Sequence, residues 1–171
     1  DGEAPRGIWT VDDVQVSQGR TLIITGPGEG PDNISDVHGY LPDTLELDLD
    51  FDAYGVDKYG VNVAAVSLTG AGHLILTGAG PGAVYGPHVR GWNVDGGPAA
   101  PIPGISFLAY GTNRFGVRAN CADLDGDGFD EIVTAPGPSA AFGAHIRGWD
   151  CDAGSATAIP ELNFFAWPAS E

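Results

Sequence analysis

The chain has 171 residues, of which 27 are Gly and 13 are Pro, and 43% of all residues are hydrophobic. This apolar content is enough to bury a core, so the Gly and Pro residues are predicted to mark turns between short strands rather than disorder. The formal net charge of −16 excludes the basic footprint that nucleic-acid binding needs, and it disfavours an anionic membrane as a partner. No apolar run approaches the roughly 18 residues of a membrane span, so we expect a soluble chain of one domain without membrane insertion.

The sequence begins at Asp1 and contains no Met, which indicates a processed or excised chain from which any export signal would already be gone. Two cysteines, Cys121 and Cys151, are too few for a disulfide scaffold. They either pair with each other or are two separate buried thiols. Asn33-Ile34-Ser35 has the form of a glycosylation site.

An internal repeat organises the chain. Three segments align at three anchor points, with a period of 52 to 57 residues. The anchors are Leu22–Gly26, Leu74–Gly78 and Glu131–Ala135, then Asp36–Tyr40, His88–Trp92 and His145–Trp149, then Phe51–Gly55, Phe107–Gly111 and Phe164–Trp167. Tyr59-Gly60-Val61 and Phe115-Gly116-Val117 open the second and third units. We therefore divide the chain into three units, approximately 1–60, 61–116 and 117–171.

Unit one contains a segment, residues 45–52, in which apolar and acidic side chains alternate. A strand here is predicted to bury one face and to present a row of carboxylates on the other. The buried set is Leu45, Leu47, Leu49 and Phe51, and the acidic set is Glu46, Asp48, Asp50 and Asp52. The acidic row is interpreted as a solvated outer face or as edge-strand charge that blocks unwanted pairing. The alternative is a stripe that meets an Arg-bearing surface or binds calcium weakly.

Unit two shows the strand pattern most clearly. Its short apolar runs, Val61–Leu68, Leu74–Thr77, His88–Trp92 and Ile105–Tyr110, are separated by Gly/Pro clusters. No segment keeps a 3.6-residue period long enough for a helix. We therefore predict an all-β fold with about four strands in each unit. Four-stranded sheets repeated at about this length are typical of propeller blades.

Several polar and aromatic side chains recur at equivalent repeat positions. His88 is equivalent to His145, and Arg90 is equivalent to Arg147. Recurrence indicates a structural role in each unit, such as hydrogen bonding across strands, rather than metal binding or catalysis. Tyr40, Trp92 and Trp149 recur in the same way and are predicted to pack in the core or between units.

Unit three contains a short loop with five carboxylates, Asp123, Asp125, Asp127, Asp130 and Glu131. Packing these charges together is unfavourable unless a cation neutralises them. Gly126 and Gly128 allow the tight turn that alternate spacing requires. Hard oxygen ligands without His or Cys favour Ca²⁺. An EF-hand is excluded because its twelfth loop position needs Glu, which here is Thr134.

From these residues we predict side-chain ligation by Asp123, Asp125, Asp127 and Glu131, with Asp130 facing solvent. The alternative is a solvated Asp-Gly turn without metal. The equivalent loops, Ser67–Gly72 in unit two and Gln15–Arg20 in unit one, carry no carboxylate. We therefore expect one Ca²⁺ per chain with a structural role.

The segment Asp123–Thr134, followed by a Gly/Pro loop and His145-Ile146-Arg147, resembles the FG-GAP or VCBS-type repeat of integrin α chains and many secreted bacterial proteins. The resemblance covers nearly the whole chain, clearly in units two and three and more faintly in unit one. It implies β-propeller blades, calcium in the Asp loop with the Phe129 carbonyl as a fifth ligand, and an extracellular binding or adhesive role. It does not imply an enzyme.

The sequence contains no Gly-x-Ser-x-Gly, no phosphate-binding Gly loop with Lys and no His-x-x-x-His. Three units are also fewer than the four to eight blades of a closed propeller. We therefore expect a fragment of a longer array, a ring closed by two chains, or head-to-tail assembly into filaments.

The function that we infer from the sequence is that of a non-enzymatic, secreted or cell-surface, calcium-binding β-repeat protein. It would act as a structural, self-assembling or adhesion subunit whose main partner is a second copy. The alternative is an extracellular module that recognises a protein or a glycan.

Overall fold

The computed structural model describes residues 9–16, 20–55, 57–68, 72–82, 85–95, 97–111, 114–138 and 143–167. The twelve strands in these residues are β1 Trp9–Val16, β2 Arg20–Pro27, β3 Asp36–Tyr40, β4 Leu47–Asp52, β5 Val61–Leu68, β6 Gly72–Ala79, β7 His88–Asn93, β8 Ala100–Leu108, β9 Val117–Ala122, β10 Glu131–Pro136, β11 His145–Asp150 and β12 Thr157–Phe165. The described residues form no helix that is long and apolar enough to cross a membrane. The predicted all-β class is confirmed for this part of the chain.

Each group of four consecutive strands forms one antiparallel sheet, in the orders β1-β2-β3-β4, β5-β6-β7-β8 and β9-β10-β11-β12. We call these sheet one, sheet two and sheet three. Strands that follow one another in the chain are antiparallel neighbours in each sheet. Sheet two lies between the other two, with β5 beside β1 on one side and beside β9 on the other. In the part of the chain that the structure describes, the three sheets do not close into a ring.

The hydrophobic core lies between the sheets because side chains alternate across each strand. In β6, Ile75 packs toward sheet one, whereas Leu74 and Leu76 pack toward sheet three, and all three are fully buried. We call the side of a sheet that faces the next sheet along the chain its forward face, and the opposite side its rear face. The forward faces of sheets one and two therefore cover the rear faces of sheets two and three.

The connections between sheets contain residues with positive φ, a backbone conformation that residues other than glycine rarely adopt. Tyr59 and Phe115 have φ of 67° and 76°, and each is followed by a Gly with positive φ, Gly60 or Gly116. A Cβ atom at Gly60 would lie 2.1 Å from the carbonyl oxygen of Pro27, so only Gly fits this close approach. The recurring aromatic-Gly pair thus marks the point where the chain passes from one sheet to the next.

Two predicted strands are longer than the sequence pattern indicated. The run Leu74–Thr77 is the middle of β6, Gly72–Ala79. We expected a strand at Ile105–Tyr110, whereas β8 runs from Ala100 to Leu108. Pro101 and Pro103 lie in the part of β8 that precedes the predicted start. Because β8 is the edge strand of sheet two, a proline there removes no hydrogen bond that the sheet needs.

The prediction for the alternating segment of unit one is partly wrong. Leu49 is 5% exposed as predicted, but Leu45 and Leu47 are 67% and 51% exposed. Leu45 lies in the turn before β4 with φ of 58°, and the pairing register shifts between Gly39 and Tyr40. The turn and the shift break the strict alternation, so the two leucines do not join the buried face.

Candidate metal centre

The loop between β9 and β10 brings three predicted ligands together. One carboxylate oxygen from each of Asp123, Asp125 and Asp127 lies within 4.8 Å of the others. Gly126 and Gly128 have φ of 84° and 95°, in the left-handed region where glycine is favoured. The two glycines therefore let the chain turn tightly enough to aim alternate side chains at one centre.

The loop holds these carboxylates with its own backbone amides. The amides of Gly126 and Gly128 donate to the two oxygens of Asp123, at 2.7 and 3.1 Å. The amide of Phe129 donates to Asp127 at 2.9 Å. These bonds hold the carboxylates in place within the loop. The exposed carboxylates of the three aspartates remain accessible from solvent.

Glu131, the fourth predicted side-chain ligand, begins β10 and is only 4% exposed. Its Oε2 atom accepts a hydrogen bond of 2.7 Å from the amide of Leu124. Burial raises the pKa of Glu131, the Leu124 amide opposes this rise, and the nearby charge of Asp125 adds to it. Among the described residues the group of three close carboxylates does not include Glu131. Its predicted ligation, like that of the Phe129 carbonyl, stays a prediction.

The expectation that Asp130 faces solvent is wrong. Its Oδ2 atom accepts a hydrogen bond of 2.7 Å from the amide of Ser67, and its own amide donates to the Ser67 carbonyl at 2.8 Å. Ser67 lies in β5, so this pair of bonds ties the acidic loop of sheet three to sheet two. The sequence carried no signal for this contact, because it joins residues 63 positions apart.

The equivalent loops of the other units were predicted to hold no calcium. Their central residues, 17–19 and 69–71, lie outside the described residues. The prediction of a single site therefore rests on their lack of carboxylates in the sequence.

A second group that could hold a metal lies on sheet one. Ligand atoms of Asp36, His38 and Asp50 lie within 4.8 Å of one another. His38 is 3.4 Å from Asp50 through Nε2 and 3.1 Å from the Tyr40 hydroxyl through Nδ1. The sequence analysis singled out Asp50 as part of the acidic row but missed Asp36 and His38. The signal that would have found them is the register, which pairs His38 with Asp50 across β3 and β4.

Asp52, at the end of the same acidic row, is a structural side chain. Its Oδ1 atom accepts hydrogen bonds from the Ser35 hydroxyl at 2.6 Å and from the amides of Tyr54 and Gly55 at 2.9 and 2.8 Å. Burial alone would raise the pKa of Asp52, but these bonds outweigh it and lower the pKa. The carboxylate therefore fixes the turn that leaves sheet one.

The recurring histidines bond across strands, as predicted. His88 Nε2 lies 3.0 Å from the Ser106 hydroxyl, and His145 Nε2 lies 2.6 Å from the Asn163 side-chain oxygen. Both contacts join neighbouring strands of one sheet. The predicted hydrogen bonding of these histidines across strands is confirmed.

A tyrosine and an arginine repeat the same contact at both sheet interfaces. The Tyr110 hydroxyl donates to the carbonyl oxygen of His145 at 2.8 Å, and Arg147 Nη1 donates back to the Ala109 carbonyl at 2.5 Å. At the other interface Tyr54 bonds the His88 carbonyl at 2.9 Å, and Arg90 bonds the Ala53 carbonyl at 2.6 Å. Each pair links the end of one sheet to the third strand of the next.

A tryptophan completes each interface. Trp92 and Trp149 are 6% and 8% exposed, and their Nε1 atoms donate to Thr77 and Thr134. Phe51 packs on Trp92 with ring centroids 4.8 Å apart, and Phe107 packs on Trp149 at 4.5 Å. The predicted packing of the two tryptophans between units is confirmed.

A cavity of about 400 Å³ opens beside the acidic loop of sheet three. Its lining combines three apolar and four acidic side chains: Leu124, Ile159 and Leu162 with Asp125, Glu131, Asp150 and Glu161. The two cysteines are not bonded to each other: Cys121 donates to the Ala65 carbonyl, and burial raises the pKa of the Cys151 thiol to about 12. The alternative of a Cys121–Cys151 disulfide is therefore not realised in this structure.

Comparisons with known proteins found no protein-family model that matches the sequence, no curated protein that matches it, and no solved structure that matches the fold.

Proposed function

We propose that the chain is a non-enzymatic, calcium-binding β-repeat protein that acts as a structural or adhesion subunit outside the cell or on its surface. The observation that carries the proposal is the acidic loop of sheet three, where three aspartates converge and Asp130 is bonded to sheet two. Under this proposal the three units are blades of the propeller type, similar to the FG-GAP or VCBS repeat.

The donor set of the loop fits calcium. Asp123, Asp125 and Asp127 supply only carboxylate oxygens, which are the ligands that a hard cation prefers. Glu131 and the Phe129 carbonyl would complete the set under the resemblance. Bound calcium supplies positive charge that offsets the repulsion among the carboxylates.

The consequence of binding would be structural. The loop joins β9 to β10, and its last residue, Asp130, holds two hydrogen bonds to Ser67 of β5. A cation bound to Asp123, Asp125 and Asp127 also restrains Asp130, because these aspartates lie in the same tight turn, at most seven residues before it. Calcium would therefore stabilise the docking of sheet three on sheet two rather than take part in a reaction.

The cavity beside the loop favours the second candidate function, an extracellular module that recognises a protein or a glycan. Its mixed apolar and acidic lining suits a ligand that combines an apolar part with a positive charge or with hydroxyl groups. A glycan array and a pulldown from extracellular material test this candidate directly.

Calorimetric titration of calcium into the metal-stripped protein tests the proposal. We expect one Ca²⁺ per chain, because only one of the three equivalent loops carries carboxylates. The variant Asp125→Asn removes the charge of a central carboxylate, and we expect it to lose at least about tenfold in affinity.

The matched control is Asp32→Asn, which makes the same charge change at an exposed residue outside the loop. It should bind calcium like the original protein. Three equal sites in the original protein, or no binding at all, would show that the proposed metal centre is wrong.

A further inference from the structure

The two outer faces of the stack are the forward face of sheet three and the rear face of sheet one. Both carry residues equivalent to those that form the internal interfaces. At both internal interfaces a Phe of one sheet packs on the Trp of the next, as Phe51 does on Trp92 and Phe107 on Trp149. The next Phe in this series is Phe164 on the forward face of sheet three, paired with Ile146 as Phe107 is with Val89. It is 47% exposed. Sheet three therefore exposes a Phe whose equivalents in sheets one and two pack on an aromatic residue of the next sheet.

The end of β12 continues the same series. Tyr54 and Tyr110, which bond the following sheet at the two internal interfaces, are equivalent to Trp167. Trp167 is 72% exposed. The exposed aromatic surface on the forward face of sheet three, which comprises Phe164 and Trp167, thus lies at the positions through which sheets one and two contact the next sheet. We call it the forward aromatic patch.

The rear face of sheet one carries the matching half. Tyr40 stands at the position of Trp92 and Trp149, and His38 stands at the position of the two arginines. Ile23 is equivalent to Ile75 and Ile132, which are fully buried in the internal interfaces, yet Ile23 is partly exposed. Leu45 and Leu47, exposed at the β3–β4 turn, add apolar surface to the same sheet.

We infer that the forward aromatic patch of one copy docks on the rear face of sheet one of a second copy, so that the stack of sheets continues from chain to chain. In this contact Phe164 packs on Tyr40, and His38 faces the Ala166 carbonyl as Arg90 and Arg147 face those of Ala53 and Ala109. The inference rests on the proposed function in taking the chain to be a structural subunit, and it specifies the surfaces involved.

A size difference between the hairpins supports this particular pairing. The β11–β12 hairpin of sheet three reaches over Gly104 of sheet two, where a Cβ atom would lie 1.9 Å from the Gly154 carbonyl oxygen. The residue of sheet three equivalent to Gly104 is Glu161, so a hairpin of the same length would collide there.

The hairpin of sheet one is shorter. His38 pairs with Asp50, twelve residues on, whereas Arg147 pairs with Asn163, sixteen residues on. A second copy that docks through sheet one therefore lacks the tip that would meet Glu161. The forward face of sheet three, which carries Glu161, therefore fits sheet one, the only described sheet with the shorter hairpin.

The charge of the chain predicts how this contact responds to salt. Each copy carries a formal charge of −16, and acidic side chains border both surfaces, Asp36 and Asp50 on one and Glu161 on the other. Repulsion between copies is screened as ionic strength rises, because the Debye length falls to about 10 Å at 0.1 M salt. The association therefore strengthens with added salt, opposite to a contact held by ion pairs.

Analytical ultracentrifugation over a range of concentrations tests the inference. The full chain is expected to form dimers or longer assemblies. The variants Phe164→Glu and Tyr40→Glu, each on one side of the contact, should each weaken self-association by about 30-fold or more, as loss of a central aromatic anchor does. Circular dichroism of each variant confirms that it is folded.

Mixing the two variants is the decisive experiment, because the contact joins two different surfaces. An equimolar mixture of the two variants should form a one-to-one dimer, since the Tyr40→Glu chain keeps its forward patch and the Phe164→Glu chain keeps its rear face. Leu108→Glu, at a residue 56% exposed on the middle sheet, is the control and should assemble like the original chain.

A chain that stays monomeric at all concentrations, assembly that both variants leave unchanged, or a mixture that stays monomeric would overturn the inference. Calcium titration of the same samples keeps the proposals separate. A monomer that binds one Ca²⁺ refutes the docking and leaves the metal centre standing. A chain that assembles through both surfaces but binds no Ca²⁺ refutes the metal centre and leaves the docking standing.

Discussion

Replacing Trp149 by Ala is expected to lower the free energy of unfolding by about 3–5 kcal/mol, in line with the loss of other buried tryptophans. Trp149 is 8% exposed and lies between sheets two and three. Its ring packs on Phe107 at 4.5 Å, its Nε1 donates to Thr134, and the Arg147 guanidinium lies 4.5 Å from the ring centroid. The substitution removes all three contacts and leaves a cavity that the rigid sheets cannot fill. Chemical denaturation followed by fluorescence and circular dichroism measures the loss.

The matched control is Trp167→Ala, the same substitution at a side chain that is 72% exposed. Measured at a concentration low enough to keep the chain monomeric, it should change the stability by less than about 0.5 kcal/mol. Equal losses for the two tryptophans would show that the interface between sheets two and three is not the stabilising contact described above.

The second large effect is expected at Gly104, where Ala should destabilise the protein by about 1–3 kcal/mol. The new Cβ atom would lie 1.9 Å from the Gly154 carbonyl oxygen and 2.9 Å from its carbon, and both are backbone atoms that no rotamer change can move. The β11–β12 turn would have to shift away from sheet two. That shift would also strain the hydrogen bond of 3.0 Å from the Ala156 amide to the Gly104 carbonyl.

Gly97→Ala is the control for this change, because no atom lies within 4 Å of its Cβ position. Thermal unfolding should show a lower midpoint for Gly104→Ala and little change for Gly97→Ala. If both variants melt with the original protein, the close approach of sheet three to Gly104 does not exist in solution.

Much of the fold could be predicted from the repeat. Alternating apolar residues and Gly/Pro turns predict short strands, and β5 begins and ends at the predicted residues, Val61 and Leu68. The errors occur where local pattern and sheet context disagree. Pro101 and Pro103 lie in β8 before its predicted start and are tolerated there because β8 is an edge strand. Leu45 follows the alternation yet lies in a turn of positive φ.

The candidate site was predictable where its residues are close in sequence. The spacing of Asp123, Asp125 and Asp127, with Gly between them, carries the geometry of the loop. The contact of Asp130 with Ser67 could not be predicted in the same way, because it depends on how one sheet lies on another. The partners of the recurring Tyr and Arg side chains were hidden for the same reason. Recurrence indicates that such residues have a role, but only the stacked sheets show which atoms they bond.

The measurement that tests the account most directly is the unfolding free energy with and without calcium. If calcium braces sheet three, stability should rise with ligand concentration and reach a gain of about 2.7 kcal/mol at one hundred times the dissociation constant. The Asp125→Asn variant, with at least about tenfold weaker binding, should keep no more than about half of this gain at the same calcium concentration. Magnesium at equal concentration should also produce a smaller gain, because it demands a stricter geometry. A stability that calcium leaves unchanged, or a gain that Asp125→Asn fully retains, would contradict a structural metal centre in this loop.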